Sequence, residues 1–176
     1  MAIARAHANP ARATPMPAVK VVLRAATAAD APRLAEILIA GRATFMPYAP
    51  SVHTEAELRA WVRQQLVPAG GITVAQRDGA VIGFVALSQD RECAWIEQMF
   101  VHPSHVAKGV GAQLLAHALD VLPAPVRLYT FQANSGARRF YERHGFVAIQ
   151  MTNGEANEER CPDVLYEMAA SSRRGG

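Results

Sequence analysis

The sequence is poor in cysteine and has no long apolar run. Its 176 residues include only two cysteines, without the CxxC or CxxH spacing of a zinc site, so two reduced thiols are expected. The six histidines are scattered along the chain, and we expect no metal. No apolar stretch approaches the roughly 18 residues that a membrane-spanning helix needs. These absences predict a cytoplasmic protein without a membrane partner.

Acidic residues are missing from both ends of the chain. The first twenty positions hold three basic residues and no acid, and the last four hold two arginines. Without these five, 13 basic residues face 15 acidic ones in 21–172, a net charge of −2, so nucleic acid is not an expected partner. Residues 1–17 lack the apolar core of a signal peptide. We expect a disordered extension there, with a transit peptide as the alternative, a single domain over 18–170 and a disordered tail over 171–176.

The hydrophobic pattern alternates between strand and helix signals. A hairpin turn is predicted at Asp78 and Gly79, and helix starts are predicted at Thr27 and, as part of a capping box, at Thr54. The first helix is expected to end near Arg42. The predicted strands are 19–24, 72–77, 80–88, 94–101, 126–130, 147–151 and 164–168. This order predicts an α/β fold with a mixed central sheet of about six to seven strands, flanked by about four helices.

The stretch 101–115 predicts a strand end, a basic glycine turn and a helix start. Pro103 cannot extend a strand ladder, so it ends the strand before it. Gly109 and Gly111 lack a Cβ, which allows a sharp bend and the close approach of a ligand to the backbone. A helix that begins here directs unpaired N–H groups at one point, where phosphate binds well, and Lys108 adds a positive charge. A tight loop without a ligand is the alternative.

A second motif lies in the helix predicted after the strand 126–130. It reads Asn-x-x-Ala-x-x-Phe-Tyr-x-x-x-Gly-Phe and consists of Asn134, Ala137, Phe140, Tyr141, Gly145 and Phe146. With the Val-x-Pro and Gly-x-Gly elements before it, the chain resembles the GNAT superfamily of N-acetyltransferases from about Val21 to Met168. Val106 and Ala107 depart from the family's first motif, which has Gln or Arg and commonly Gly at these positions. The departure concerns a side-chain contact and leaves backbone contacts in place.

The resemblance implies a single-domain GNAT-like fold with acetyl-CoA as cosubstrate. The strand before the glycine turn and the strand after the third helix are expected to splay apart, and acetyl-CoA to enter the gap. A bulge in the strand 97–101 is expected to free an N–H that polarises the acyl carbonyl, with Met99 as the predicted donor. The implied cofactor-binding residues are Phe100, Val101, Val106, Ala107, Lys108, Gly109, Val110, Gly111, Ala112, Asn134, Ala137 and Tyr141.

Four side chains are candidates for catalysis or cofactor contact, each with a structural alternative. By the family resemblance Tyr141 is the acid that protonates the departing thiolate, while its helical spacing also suits a core position. Glu97 is either a desolvated carboxylate that acts as the base or a solvated side chain on the open side of the sheet. His53 is a second candidate base or an ordinary loop residue. Asn134 caps a helix, contacts the cofactor arm, or does both.

Large side chains stand in a proline-marked loop between the first two helices, and the family resemblance implies that this loop borders the acceptor side. Phe45, Tyr48 and His53 are the predicted contacts, because such side chains need a wall or a ligand to cover them. The acidic loop 153–161 is expected to attract a cationic amine, and its Arg160 to anchor an acid. The alternative is that the loop between the helices only packs against the sheet.

These patterns predict an acyl-CoA-dependent N-acyltransferase that moves an acetyl group to a primary amine of a small molecule. Direct attack is expected, because no serine or cysteine stands in a nucleophile elbow. The alternatives are a non-catalytic CoA-binding module, an acetyltransferase of a protein amine, and an interaction protein that merely keeps this fold. Thiol release with a panel of amines separates an enzyme from a binding module, and failure to bind CoA favours the interaction protein. A homodimer is compatible with the sequence.

Overall fold

A computed structural model describes residues 20–170 of the chain. The predicted extension 1–17 and tail 171–176 lie outside the described residues. The strands are Val22–Ala25 (β1), Ile72–Arg77 (β2), Ala80–Gln89 (β3), Ala94–Val101 (β4), Val126–Phe131 (β5), Val147–Met151 (β6) and Asp163–Met168 (β7). Within the described part of the chain they form one sheet in the order β1-β2-β3-β4-β5-β7-β6. All neighbours are antiparallel except β4 and β5, which run parallel.

Four helical segments flank this sheet within residues 20–170. They are Ala31–Phe45 (α1); Glu55–Trp61 (α2), which continues through a π-helical stretch, Val62–Leu66, into the turn Val67–Ala69 (α3); Val110–Val121 (α4); and Ser135–Arg143 (α5). The predicted α/β fold, a mixed sheet of six to seven strands with about four helices, is confirmed. The second helix runs past Pro68 because a proline is tolerated in the first turn of the α-helical segment that begins at Val67.

The two faces of the sheet carry separate apolar cores. Phe84 and its neighbour Val85 point to opposite faces, as successive strand residues do. Phe84 belongs to the core formed with α1 and α2, in which Leu34 and Ile37 are fully buried. Val85 belongs to the core formed with α4 and α5, around Leu114. Each fully buried aliphatic side chain of this kind stabilises the fold by about 1.5–3 kcal/mol relative to exposure.

Side-chain caps fix the starts of the first two helices. Thr54 accepts from the N–H of Glu57, whose carboxylate accepts from the N–H of Thr54 (2.7 Å), so the predicted capping box is confirmed. Asp30 accepts from the N–H of Thr27 and forms two hydrogen bonds of 2.9 Å with Arg24. The hydrogen bonds from Arg24 hold the pKa of the Asp30 carboxyl far below its usual range.

The end of α1 differs from the prediction. The helix continues three residues beyond Arg42, and its last turn closes with a hydrogen bond from the N–H of Met46 to the carbonyl of Arg42 (2.9 Å). The prediction that Phe45 lies in a loop is therefore wrong, because Pro47 ends the helix and the residues before it still complete a turn. None of the described helices is long and apolar enough to cross a membrane.

Candidate active site

The two parallel strands at the centre of the sheet part soon after they meet. β4 and β5 are paired only at Ala94 with Val126 and at Trp95 with Arg127. Beyond these residues a cavity of about 550 Å³ opens between the strands, with one wall from β4, one from β5 and a third from α5. The predicted splay of the two strands is thus confirmed. The facing edges of β4 and β5 keep unpaired backbone groups there, which a ligand with amide groups is able to pair.

A bulge in β4 lies where the two strands begin to part. Ala86 of β3 pairs with Gln98 and Leu87 pairs with Ile96, so Glu97 is the extra residue. Further along, the N–H of His102 donates to the carbonyl of Ile82 on β3 (2.8 Å).

The N–H of Met99 faces the cleft. Successive N–H groups of a strand point to opposite edges, so the groups of Met99 and Val101 point away from β3, towards β5. Two backbone donors of β4 therefore face the open cleft. Of these, Met99 is the donor that the sequence predicts for the acyl carbonyl.

The phenol of Tyr141 closes the inner end of the cleft. Its side chain is held by edge-on contacts with the rings of Phe140 and Phe146, at centroid distances of 5.3 and 5.6 Å. Tyr141 is only 7% exposed and lines the cavity, and within residues 20–170 its hydroxyl has no hydrogen-bond partner. Burial alone raises the pKa of Tyr141 well above its usual value of 10. A buried hydroxyl without a partner is uncommon in proteins and points to a ligand atom.

Asn134 connects the same wall to the start of α5. Its side-chain oxygen accepts from the N–H of Ala137 (3.0 Å), which confirms the predicted helix cap. The side chain also lines the cavity beside Ala137, and its NH₂ group has no partner in the described chain. The cap uses the oxygen alone, so the NH₂ group is free to contact a ligand.

The glycine turn has the backbone of an anion site. Gly109 adopts φ 78° immediately before α4, and open space surrounds the position that a Cβ would take. In the described chain no acceptor is bonded to the N–H groups of Val110, Gly111 and Ala112, the first turn of α4. Ala107 also has a left-handed conformation, with φ 59°, where the family motif commonly has glycine.

Basic side chains surround the turn. Lys108 donates to the carbonyl of Ser104 (2.8 Å), and the Ser104 hydroxyl lies 2.7 Å from Nδ1 of His102 and 2.8 Å from Nδ1 of His105. Burial, together with the positive charge of Lys108, lowers the pKa of His105. The turn therefore combines free N–H groups with positive charge, which suits a phosphate group.

A second cavity of about 780 Å³ adjoins the first one. It lies between the end of α1, the second helix and the loop 152–162, and both cavities share Arg42, Gln98, Ala156, Asn157 and Glu159 in their walls. An ion pair of 2.7 Å joins Arg42 to Glu159 at this junction, with the carboxylate side chain only 15% exposed. The two spaces thus meet at one half-buried ion pair.

The acidic loop 153–161 is held in place by its own hydrogen bonds. Asn157 donates to the carbonyl of Cys161 (2.7 Å) and to the carboxylate of Asp163 (2.8 Å). Glu158 pairs with His53 (2.9 Å), while Glu155 is exposed and lines neither cavity. The structure therefore brings two of the loop's three glutamates to the walls of the second cavity.

The predicted acceptor residues are separated. His53 lines the second cavity. Phe45, Tyr48 and Arg160 line neither of the two cavities: Phe45 ends α1, Tyr48 packs edge-on against Phe131 at 6.2 Å, and Arg160 is exposed on its loop with φ 52°. An acceptor role for these three residues stays a prediction.

Glu97 lies in the wall of the first cavity but is exposed. Its carboxylate accepts from the hydroxyl of Ser88. Of the two interpretations offered by the sequence, the desolvated carboxylate is not what the structure shows, because the bulge turns Glu97 towards solvent. A role as base therefore depends on a bound acceptor to exclude water from it.

Several residues that line the two cavities could not be predicted from the sequence. Arg42, Gln98 and Asn157 belong to no motif, and Gln64 and Gln65 look like solvent-facing helix residues. The ion pair at the junction joins residues 117 positions apart, a distance at which local patterns carry no signal. The polar pair Glu97 and Gln98 inside an otherwise apolar strand was the one available signal.

Comparisons with known proteins agree with this geometry. Residues 38–146 match the family model described as the acetyltransferase (GNAT) family. An uncharacterised N-acetyltransferase of Methanocaldococcus jannaschii is 30% identical over 95 residues, which cover 48% of this chain and 42% of that protein. One of Archaeoglobus fulgidus is 33% identical over 82 residues, covering 40% and 56%. The match thus spans about half the length of the curated relatives.

Solved structures share the fold. The apo form of YjaB from Escherichia coli superposes with a TM-score of 0.69 at 21% identity, covering 84% of this chain and 97% of that one. The PaiA N-acetyltransferase of Thermoplasma acidophilum, solved in complex with coenzyme A, gives 0.66 at 20% identity, with coverage of 85% and 99%. At these identities the likeness concerns the fold.

Proposed function

Since this chain belongs to the GNAT acetyltransferase family, we propose that it transfers an acetyl group from acetyl-CoA to the primary amine of a small molecule. One observation carries the proposal: the hydroxyl of Tyr141 is buried at the end of a cleft between two strands and has no partner within residues 20–170. The domain responsible is proposed to be 18–170, acting in the cytoplasm.

The residues of the cleft fit acetyl-CoA. The free N–H groups of Val110, Gly111 and Ala112 would hold the pyrophosphate, with Lys108 as a positive neighbour. The amide groups of the pantetheine arm would pair with the unpaired edges of β4 and β5. Val106 and Ala107 would contribute backbone rather than side-chain contacts, and Phe100 and Val101 would border the arm.

The reaction we propose is direct attack by the amine. Its nitrogen forms a bond to the acyl carbon, the carbonyl oxygen gains negative charge, and the carbon–sulfur bond breaks as the amide forms. The N–H of Met99 faces the cleft and would stabilise the developing oxyanion through a dipole fixed in advance. A lost donor of this kind typically lowers kcat by about 10²–10³-fold.

Tyr141 would give its proton to the departing sulfur. Because burial raises the pKa of its phenol, the group is protonated at any physiological pH and always ready to donate. The ordinary phenol value of about 10 already exceeds the 8.5 of a thiol, so complete transfer is uphill. Its main contribution is therefore a hydrogen bond that strengthens as negative charge collects on sulfur, with the proton following as the thiol leaves.

A base must take the proton that the attacking amine loses. Glu97 is the candidate in the first cavity and His53 is the candidate in the second. Glu97 is the bulged residue of β4, at the point where the two strands begin to part, which favours it for the chemical step. His53 lies at the outer end, where it would meet the amine earlier, directly or through water.

The acceptor would enter through the second cavity. That space joins the first one at Gln98 and Asn157, so an amine placed there reaches the thioester without crossing the sheet. The cofactor and the acceptor thus approach from separate openings, as direct transfer between two bound substrates requires.

The test uses the full chain, acetyl-CoA and a pool of amines, amino acids and peptides with free N-termini. We expect CoA binding by calorimetry and thiol release that depends on an amine. Binding without turnover on any acceptor would identify a non-catalytic CoA-binding module, the alternative that the unusual Val106 and Ala107 favour. Absence of CoA binding would overturn the proposal altogether.

A further inference from the structure

The second cavity is acidic. Three carboxylates, from Glu57, Glu158 and Glu159, stand in its walls against the single guanidinium of Arg42, a formal net charge of −2 with histidine neutral. Arg42 is already paired with Glu159, so its positive charge is offset by that carboxylate. Glu57 caps its helix through Thr54 and Glu158 bonds to His53, and no arginine pairs with either carboxylate in the described chain. A cation that reaches these two carboxylates therefore meets negative charge.

The walls also offer unused polar groups. The side-chain amides of Gln64, Gln65 and Gln98 and the indole N–H of Trp61 all lie in this cavity. None of the four has a hydrogen-bond partner in the part of the chain that the structure describes. Amide oxygens accept from ammonium groups, so these side chains suit a polar amine better than an apolar one.

The helix that carries the two glutamines has an uncommon backbone. Residues Val62–Leu66 form a π-helical stretch within an otherwise α-helical segment. Such stretches are rare and concentrate at functional sites. Here Val62 and Leu66 stay buried in the core while Gln64 and Gln65 face the cavity. The π-helical stretch thus keeps Val62 and Leu66 packed in the core and directs the neighbouring amides of Gln64 and Gln65 towards a ligand in the cavity.

The volume of the second cavity bears on how large the acceptor is. At about 780 Å³, added to the adjoining space, it has room for a molecule much larger than a short monoamine. The reacting nitrogen must sit at the junction near Gln98, while the acidic residues Glu57 and Glu158 lie beyond it. A molecule that uses both regions carries a second positive group some distance from the first.

We propose that the acceptor is an extended amine with at least two ammonium groups, such as a linear diamine or polyamine. One nitrogen reacts at the junction of the cavities, and the other binds at Glu57 and Glu158. Gln64 and Gln65 select for it by accepting hydrogen bonds along its length. This inference rests on the proposed function and names the substrate class of the same site.

The test compares matched acceptors in the thiol-release assay. Cadaverine and pentylamine have the same carbon chain and differ by one terminal amine, and spermidine adds a third charge. We expect kcat/KM for cadaverine and spermidine to exceed that for pentylamine at least tenfold. Added salt is expected to lower the values for the diamine and triamine more than the value for pentylamine, because screening acts on each ammonium group and pentylamine carries only one.

Two variants locate the second ammonium group. Glu158→Gln is expected to lower kcat/KM for cadaverine about two- to fivefold more than that for pentylamine, the range for one exposed ion pair. Any loss that acts through its partner His53 falls on both amines alike. Glu155→Gln makes the same change on the same loop outside both cavities and is the matched control. Gln64→Ala combined with Gln65→Ala is expected to raise KM for spermidine while kcat and the affinity for CoA remain.

The outcomes separate the two proposals. If pentylamine is as good a substrate as cadaverine, or if Glu158→Gln and Glu155→Gln behave alike, the acceptor class is wrong while the acetyltransferase stands. If peptides are acetylated and diamines are not, the site takes a protein N-terminus, and the acceptor class is again wrong. If CoA binds and no acceptor releases thiol, the proposed function itself fails.

Discussion

Replacing Tyr141 with phenylalanine separates a catalytic phenol from a core residue. The ring fills the same space, and the lost hydroxyl has no partner in residues 20–170 whose bonding would suffer. Burying a hydroxyl without a hydrogen bond costs about 1–3 kcal/mol, so its removal leaves the free energy of unfolding unchanged or raises it by about 1 kcal/mol. For a domain of this size the melting temperature then stays constant or rises by about 2–4 °C.

The same substitution removes the donor to the leaving sulfur. We expect kcat to fall about 10²-fold, equivalent to about 2.7 kcal/mol of lost transition-state stabilisation, with little change in CoA affinity. Thiol release under saturating substrates gives kcat, and calorimetry gives the affinity.

Tyr166→Phe is the matched control. Tyr166 is fully buried, lines neither cavity, and bonds through its hydroxyl to Glu142 (2.6 Å) and Arg138 (3.2 Å). Losing these bonds costs about 1–2 kcal/mol, so this variant melts several degrees lower and keeps its kcat. The opposite pattern, a Tyr141 variant with normal kcat and lowered stability, would show that the phenol is a structural core group and would refute the catalytic role.

Two further predictions concern the glycine turn. Gly111→Glu places a negative charge beside the proposed pyrophosphate site and should weaken CoA binding in calorimetry by at least tenfold. Gln113→Glu, which adds the same charge on the exposed side of α4, should change the affinity little. Equal affinities in the two variants would show that the turn does not bind the pyrophosphate. Ala107→Gly relieves a left-handed conformation with φ 59°, so the melting temperature should rise by up to about 4 °C; a fall would mean that this backbone is not strained.

Local chemistry was enough to predict most elements of the fold. The bounds of β2, β4 and β6 agree with the prediction, because period-2 patterns end there at turn residues. The caps at Thr54 and Asn134 were predictable since a cap depends on residues only three apart. The end of α1 was not, because the apolar pattern fades near Arg42, whereas the helix continues three residues further before Pro47 ends it.

The site was predictable only where a motif encodes backbone geometry. Gly109 needs a left-handed φ, and Asn134 needs a helix start to cap, so both carry a sequence signal. The bulge at Glu97 carries none, since it depends on how β3 pairs with β4. The partner of Arg42 was equally hidden, because Glu159 reaches it only after the sheet and both loops have formed.

The match to the family model suggests why the cofactor is easier to predict than the acceptor. Residues 38–146 contain the glycine turn, the cleft strands and Tyr141, but they end before the loop that carries Ala156 to Glu159. That loop supplies part of the second cavity and the carboxylate that pairs with Arg42. The proposed cofactor site therefore lies within the stretch that the family shares, while the proposed acceptor site takes part of its wall from outside that stretch. A substitution at Glu158 should consequently change which amine reacts without changing how acetyl-CoA binds.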